Sequence, residues 1–431
     1  MILEDYIEKI KKIDFKKINK PWLNKSIVNS EFLSDIYPDN KIEEWKNFNI
    51  KAIASKKLQV LENKNIFFKE DLNKNYEYLI PFKNGAFDES RLEKKLEKKI
   101  NIFKANDFKK NNSNIYKKIH ADFHKYTEQR LSGYTDKKTL KLLSLNALLN
   151  EGTVLEIPSN TVVEDPICLY NQISSEKSLV NPYLLILVGE NSRVEFLDIT
   201  SYMKSKNWTN FFYEVYLESD ANLKISNLSL NQSNNINTSS YNFHLKKSSN
   251  LEFSLINKGF SKKDIRIFLD GEHSRANVKG MILSSQKETS DVFCKVSHNA
   301  RHTDSNQEWR MISSGVSQTS LSGKIKIIKN SKKSSGSFFS KSLLLNSKAK
   351  SFSKPELEIF EDDVACSHGA SFGEIEKEKI FYLQSRGFSK NDAVKMLVLA
   401  FINELKISNS DIEKDISLEI KKMFSQRELY E

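Results

Sequence analysis

From about residue 141 to residue 370, apolar and polar positions alternate in short β-branched or aromatic runs cut by Ser, Asn and Asp clusters, with no helical spacing between them. Alternation of period two marks strands with one buried face. Within this region small polar residues followed by an alternating strand recur. The copies are Asn191-Ser192-Arg193-Val194-Glu195-Phe196, Asp220-Ala221-Asn222-Leu223-Lys224-Ile225 and Ser249-Asn250-Leu251-Glu252-Phe253, with Ser274-Arg275-Ala276-Asn277-Val278 a looser one. Their first apolar residues, Val194, Leu223, Leu251 and Val278, lie 29, 28 and 27 residues apart. Such a near-constant period signals stacked supersecondary units, each unable to cover its own apolar face. Rungs of short parallel strands stacked this way make a β-helix. A propeller blade needs a longer period, and a sandwich sets no fixed one. Beyond Val278, Leu321 and Phe352 open similar phrases at steps of 43 and 31, which predicts irregular later rungs or insertions.

Residues 1–140 read as a mainly helical domain, with periodic stretches such as Tyr6-Ile7-Glu8-Lys9-Ile10 and Ser90 to Leu96. One small hairpin interrupts them: Tyr78 to Phe87 carries Asn84-Gly85 between apolar runs, and both turn positions need positive φ. Residues 141–370 form the β-helix core, and 371–431 a C-terminal helical domain. There, Glu376 to Arg386 stops at Gly387, a residue suited to a left-handed cap. Ser389 and Asp392 then make a capping box. Val394, Leu397, Val398, Phe401, Ile402 and Leu405 follow as one apolar stripe. A last helix is expected from Asp411 to Phe424, with Ile412, Ile416, Ile420 and Met423 inward.

Composition narrows the function. Hydrophobic residues at 39 % suffice for a real core. The start, Met1 to Tyr6, leads into Lys-rich sequence rather than an apolar h-region, and apolar runs such as Met396 to Ile402 are far shorter than the roughly 18 residues of a membrane span. The expectation is a cytoplasmic protein with no membrane partner, plastid stroma being the alternative. The formal charge of +11 is spread along the chain beside acidic residues, as in Glu93 to Lys99, which argues against nucleic acid. Cys168, Cys294 and Cys366 are too far apart in sequence for a disulfide framework or a self-contained zinc motif.

Candidate chemistry is sparse. Gly323-Lys324 lacks the preceding glycine and following hydroxyl of a phosphate-binding loop, so the chain should not hydrolyse ATP. His298 and His302 would chelate a metal on a helix; on a strand they stand about 13 Å apart, which favours a polar surface or rung-corner role. Cys366-Ser367-His368-Gly369 is the sharper case. On a strand, Cys366 and His368 share a face about 7 Å apart, so thiolate and imidazole can approach one iron or zinc centre. Two ligands do not hold an iron–sulfur cluster, which takes four, so any such site borrows ligands from another chain. The other reading is a buried thiol and a surface histidine at a domain junction.

Lys354 to Ala370, followed by Ile380-Phe381-Tyr382-Leu383-Gln384-Ser385-Arg386-Gly387, resembles the signature of the SufB/SufD family of iron–sulfur cluster assembly proteins. Glu43-Glu44-Trp45-Lys46, Glu151 to Pro158, Asp165-Pro166-Ile167 and Ser342 to Leu345 are similar to further family motifs. SufB carries Glu-His-Glu where this chain has Ser367-His368-Gly369, and a Cys in the upstream rung where this chain reads Pro355 to Ile359, so the likeness is to the SufD branch. The resemblance implies a mainly β protein: a right-handed parallel β-helix flanked by N- and C-terminal helical domains. It implies a non-catalytic scaffold in the SufBCD complex, pairing with SufB through the β-helix and with the ATPase SufC through the C-terminal helices. Phe381, Tyr382, Leu383, Ser385, Arg386 and Gly387 are its SufC-docking candidates. His368 and Cys366 would serve a nascent cluster shared with SufB. No cofactor is expected on the chain alone; participation of FADH2 in the complex and a homodimer in isolation stay open. The rival classes are a carbohydrate-active β-helix enzyme and a purely structural β-helix.

Overall fold

The computed structural model describes residues 38, 40–50, 59–60, 76–104 without 93, 138–139, 142, 152–407 without 204–205 and 231–233, and 418. The expected helix at Tyr6–Ile10 lies outside these residues, as does that at Asp411–Phe424 apart from Leu418. The early strands are β1 (Gln59–Val60), β2 (Tyr78–Lys83), β3 (Ala86–Phe87) and β4 (Asn101–Lys104). Then come β5 (Thr153–Ile157), β6 (Ile167–Ile173), β7 (Ser178–Val180), β8 (Tyr183–Val188), β9 (Arg193–Tyr202), β10 (Trp208–Leu217), β11 (Asn222–Leu230), β12 (Ile236–Leu245) and β13 (Asn250–Lys258). The series closes with β14 (Phe260–Leu269), β15 (Arg275–Ser284), β16 (Thr289–His298), β17 (Asp304–Ser313), β18 (Gln318–Ile327), β19 (Ser334–Leu344), β20 (Lys350–Ile359) and β21 (Val364–Glu374).

Successive strands from β8 onward alternate between two sheets, and each pairs in parallel with the strand two positions away. The result is a parallel β-solenoid of about seven turns. One sheet runs from β4 and β5 to β20, the other from β3 and β2 to β21; β20 and β21 are the outermost strands at one end. Corners repeat a single device. Asn191, Asp220, Ser248, His273, His302 and Lys333 all take positive φ, and each donates its amide to a carbonyl of the next rung. The residue after each is a small one, as in Ser192, Ser249, Ser274, Thr303 and Ser334, all buried, with hydroxyls that return hydrogen bonds to nearby carbonyls. Those corners are the small-residue phrases of the sequence.

The register refines the period. Val194, Leu223 and Leu251 stack as expected, but the next residue in that column is Ala276; Val278 pairs with Phe253. Leu321 and Phe352 belong to the other sheet. The later rungs stay in step: Ala276 is followed by Ser305, Gly336 and Cys366, with no irregular rung between. Polar and small residues at interior positions hid them, because periodicity is read from apolar side chains.

Hairpin β2–β3 forms at Asn84-Gly85, whose φ values of 48° and 81° suit its two-residue turn. A Cβ on Gly85 would stand 2.7 Å from the Pro182 ring, so close packing also demands glycine there. The expected helix at Ser90–Leu96 is instead a 3-10 turn, Glu89–Arg91, and one helical turn, α1 (Lys94–Glu97), split by an extended Leu92. Leu96 packs into the solenoid core.

Helix α2 (Lys377–Ser385) follows β21 almost directly, and Gly387 closes it at φ 92°, its amide bonded to the Gln384 carbonyl. Helix α3 (Lys390–Asn403) starts at Ser389, whose hydroxyl accepts from the Asp392 amide. Its face of Val394, Val398 and Ile402, with Leu405, joins one apolar cluster with Leu197, Leu228, Ile256, Met281, Ile312 and Leu343, the outer face of the β21 sheet. Near the other terminus, Trp45 is buried and donates to Thr139 Oγ1 at 2.8 Å, Phe48 meets Phe260, and Glu43 pairs with Lys354 of β20 at 2.8 Å.

Candidate functional site

Cys366 and His368 lie in β21, two residues apart on a true strand. Parallel register sets where they point. His368 caps the column Ile167, Phe196, Ile225, Phe253, Val278, Gln307, Phe338, and Cys366 caps the neighbouring one ending at Ser305 and Gly336. Their predecessors are core residues, so both side chains continue the solenoid interior. Among the described residues no further strand follows β21 in its sheet, and this is why His368 is exposed and Cys366 only half-buried. Burial pushes the Cys366 thiol upward, while a hydrogen bond from the Gly336 backbone pulls the other way. Cys366 packs with Leu357 and Val364 against the end of the core.

The remaining sequence candidates separate cleanly. Cys168 and Cys294 are wholly buried in strands, and desolvation drives the Cys294 thiol far above its ordinary range. Gly323-Lys324 sits mid-strand in β18, as its missing loop residues required. His298 is buried at the end of β16, bonded to Thr303 Oγ1 at 2.7 Å and Ser305 Oγ at 2.8 Å, whereas His302 is a corner residue stacked on His273. Among the described residues no group of three or more His, Cys, Asp or Glu could hold a metal ion. On α2, Phe381 and Tyr382 are exposed, the Arg386 guanidinium covers the Tyr382 ring at 5.3 Å, and the Ser385 hydroxyl caps back to the Tyr382 carbonyl.

Sequence reading missed Gly336 and Phe338, which form the layer under Cys366 and His368. The signal was present: stepping back one rung of 30 residues from the pair reaches both.

Exposed large apolar side chains gather at the same end. Phe339, Phe352, Ile359, Phe360 and Phe372 flank the last rungs, and Phe381, Tyr382, Phe388 and Met396 follow along α2, the link after it and α3. An unpaired strand edge beside apolar surface is a template for another chain.

These features define a class: a parallel β-solenoid with helices on its C-terminal end and a thiol–imidazole pair at its open mouth. Comparison with known proteins narrows the class. The family described as SUF system FeS cluster assembly, SufBD core domain, matches residues 171–401, more than half of the chain, and the chain belongs to that family. An iron–sulfur cluster assembly SufBD family protein of Synechocystis is 25 % identical over 297 residues, 65 % of this chain and 66 % of that protein. Iron–sulfur cluster assembly protein SufD of Escherichia coli is 36 % identical over 137 residues, 32 % of each chain. A SufBD family protein of Staphylococcus aureus is 25 % identical over 321 residues, 72 % of this chain. The matches thus span less than two thirds of the length of these relatives. No helix among the described residues is long and apolar enough to cross a membrane.

Proposed function

We propose that this chain is a scaffold subunit of a SufBCD-type complex, without a catalytic step of its own. It joins a SufB-type partner through the open end of the solenoid and a SufC-type ATPase through α2 and α3. The observation that carries the reading is the position of Cys366 and His368: interior side chains of a terminal rung, left facing outward with two ligands where a cluster takes four. A partner solenoid stacked on that end supplies the rest, and the nascent cluster is cargo held between two chains.

The connection from β21 to α2 supports a mechanical coupling. Two residues, 375 and 376, separate the strand that bears the pair from the exposed helix. Closure of the ATPase subunits on α2 and α3 shifts β21 and changes how the mouth meets its partner. Such coupling requires that ATP-bound partners bind one arrangement of the mouth more tightly than the other.

The test is co-expression with SufB- and SufC-type partners, anaerobic reconstitution and visible absorption. His368→Ala is expected to abolish the cluster chromophore while all three subunits still co-purify. A variant complex that assembles and forms cluster normally sinks the assignment of His368; loss of the complex itself makes the residue structural.

A further inference from the structure

Phe338 occupies the interior directly beneath His368 and is 1 % exposed. Its ring crosses from the β19 side of the solenoid to β18, where Gly323 has no side chain; a Cβ there would stand 1.8 Å from Phe338 Cε2 and 2.3 Å from Cδ2. The seat is cut for an aromatic ring. One rung deeper in the same column lies Gln307, fully buried, with neither its amide oxygen nor its nitrogen hydrogen-bonded. An unsatisfied buried amide costs about 1–3 kcal/mol and draws any polar group that reaches it. At one rung per ~4.8 Å, His368 would reach Gln307 only by folding through the space that Phe338 fills.

We propose that Phe338, seated on Gly323, is the positioning residue that closes the solenoid interior under the Cys366–His368 pair and holds the His368 imidazole out at the mouth. The inference deepens the cluster-assembly reading and rests on it for its purpose, though not for its geometry. Without the ring, the imidazole sinks toward Gln307 and no longer faces a partner. Gly336 beneath Cys366 has no comparable role, since it fills no interior space.

The experiment is diethyl pyrocarbonate modification of the full chain, read peptide by peptide by mass spectrometry. Exposed His302, at a corner remote from the ring, is the internal reference. Phe338→Ala is expected to slow His368 several-fold relative to His302, and Phe338→Met, which keeps an apolar floor, to retain the wild-type ratio. An unchanged ratio in Phe338→Ala overturns the proposal, as does acceleration of all histidines together, which would report a loosened rung. Should Phe338→Ala fail to fold, Phe338→Val must give an intermediate slowing, and no slowing overturns the proposal equally. A slowed His368 together with normal cluster formation in the His368→Ala complex leaves the floor in place and removes the functional reading instead.

Discussion

At the scale of single residues, the interior of this solenoid is not uniformly apolar. Asp198, Tyr213, Tyr241 and Lys263 all point inward and are buried. Asn227 donates to Asp198 at 2.7 Å, and Lys263 donates to Ser229, Asn237 and Ser239 at 3.0–3.2 Å. Burial pushes the Asp198 carboxyl up to about 6 against the hydrogen bonds from Asn227 and Tyr213, and pushes Lys263 down to about 7 against its attraction to Asp198. With an unfolded value of about 3.9, Asp198 keeps a proton in the native state that the unfolded chain has already released. Its contribution to stability is full below that value and is lost as pH rises through about 6. Lys263 acts in the opposite sense, giving stability that rises with pH from about 7 toward the unfolded value. The melting temperature of Asp198→Asn should therefore gain on that of the wild type as pH is raised from 4 to 6; parallel curves would show that the carboxyl is not protonated in the fold. Glycine 280 makes a second residue-scale case. A Cβ there would lie 1.9 Å from the Trp309 ring, itself wholly buried, so Gly280→Ala must displace indole or backbone. Overpacking of this kind costs about 1–3 kcal/mol or more, measurable as a lower denaturation midpoint at unchanged m-value.

Elements explain what could be read beforehand. Corners and alternating strands were legible because both are local: positive-φ Asn, Asp or Ser followed by a small buried residue, then period two. Hairpin β2–β3 and the capped helix α3 were legible for the same reason, through Asn84-Gly85 and Ser389 with Asp392. The later rungs were not, since Ser305, Gln307 and Gly336 occupy interior columns where an apolar marker was sought. The helix expected at Ser90–Leu96 failed on a local competitor: Asp88 accepts from the Ser90 amide and fixes a 3-10 turn, after which Leu92 is extended. For the site, the pair Cys366 and His368 could be named from sequence, but its outward aspect follows from β21 being the last strand, and its floor from a residue one rung back. Helix α3 adds a polar lock that no local pattern announces: Glu404 pairs with Arg310 at 3.2 Å and Lys341 at 3.0 Å, and Arg310 also covers Phe401 at 5.5 Å. Both pairs share the solvent-exposed Glu404, and pairs open to water contribute only about 0–1 kcal/mol, so the apolar seam of Val394, Val398 and Ile402 carries most of the attachment.

The whole molecule is asymmetric along the solenoid. Its first rungs are covered, with hairpin β2–β3 and β4 pairing onto the sheets, whereas β20 and β21 end their sheets with no strand beyond them among the described residues. Pro355 within β20 withholds one amide from that edge, a feature that discourages indiscriminate strand addition. Phe360 and Phe372 are 60 % and 51 % exposed there, more than an isolated domain gains by displaying. If a SufB-type solenoid stacks on this end, charges at those two positions must be buried without partners in the complex but stay solvated in the free chain. Surface substitutions of this type change stability by about 0.5 kcal/mol or less. The Phe360→Lys, Phe372→Lys double variant should therefore keep the wild-type melting temperature and still retain a SufC-type ATPase on a column, since α2 and α3 are untouched, while losing the SufB-type partner. Loss of both partners together would indicate that the variant had disturbed β21 and α2 as a unit. Undiminished SufB-type binding would move the interface away from the mouth, and with it the need for Cys366 and His368 to face another chain.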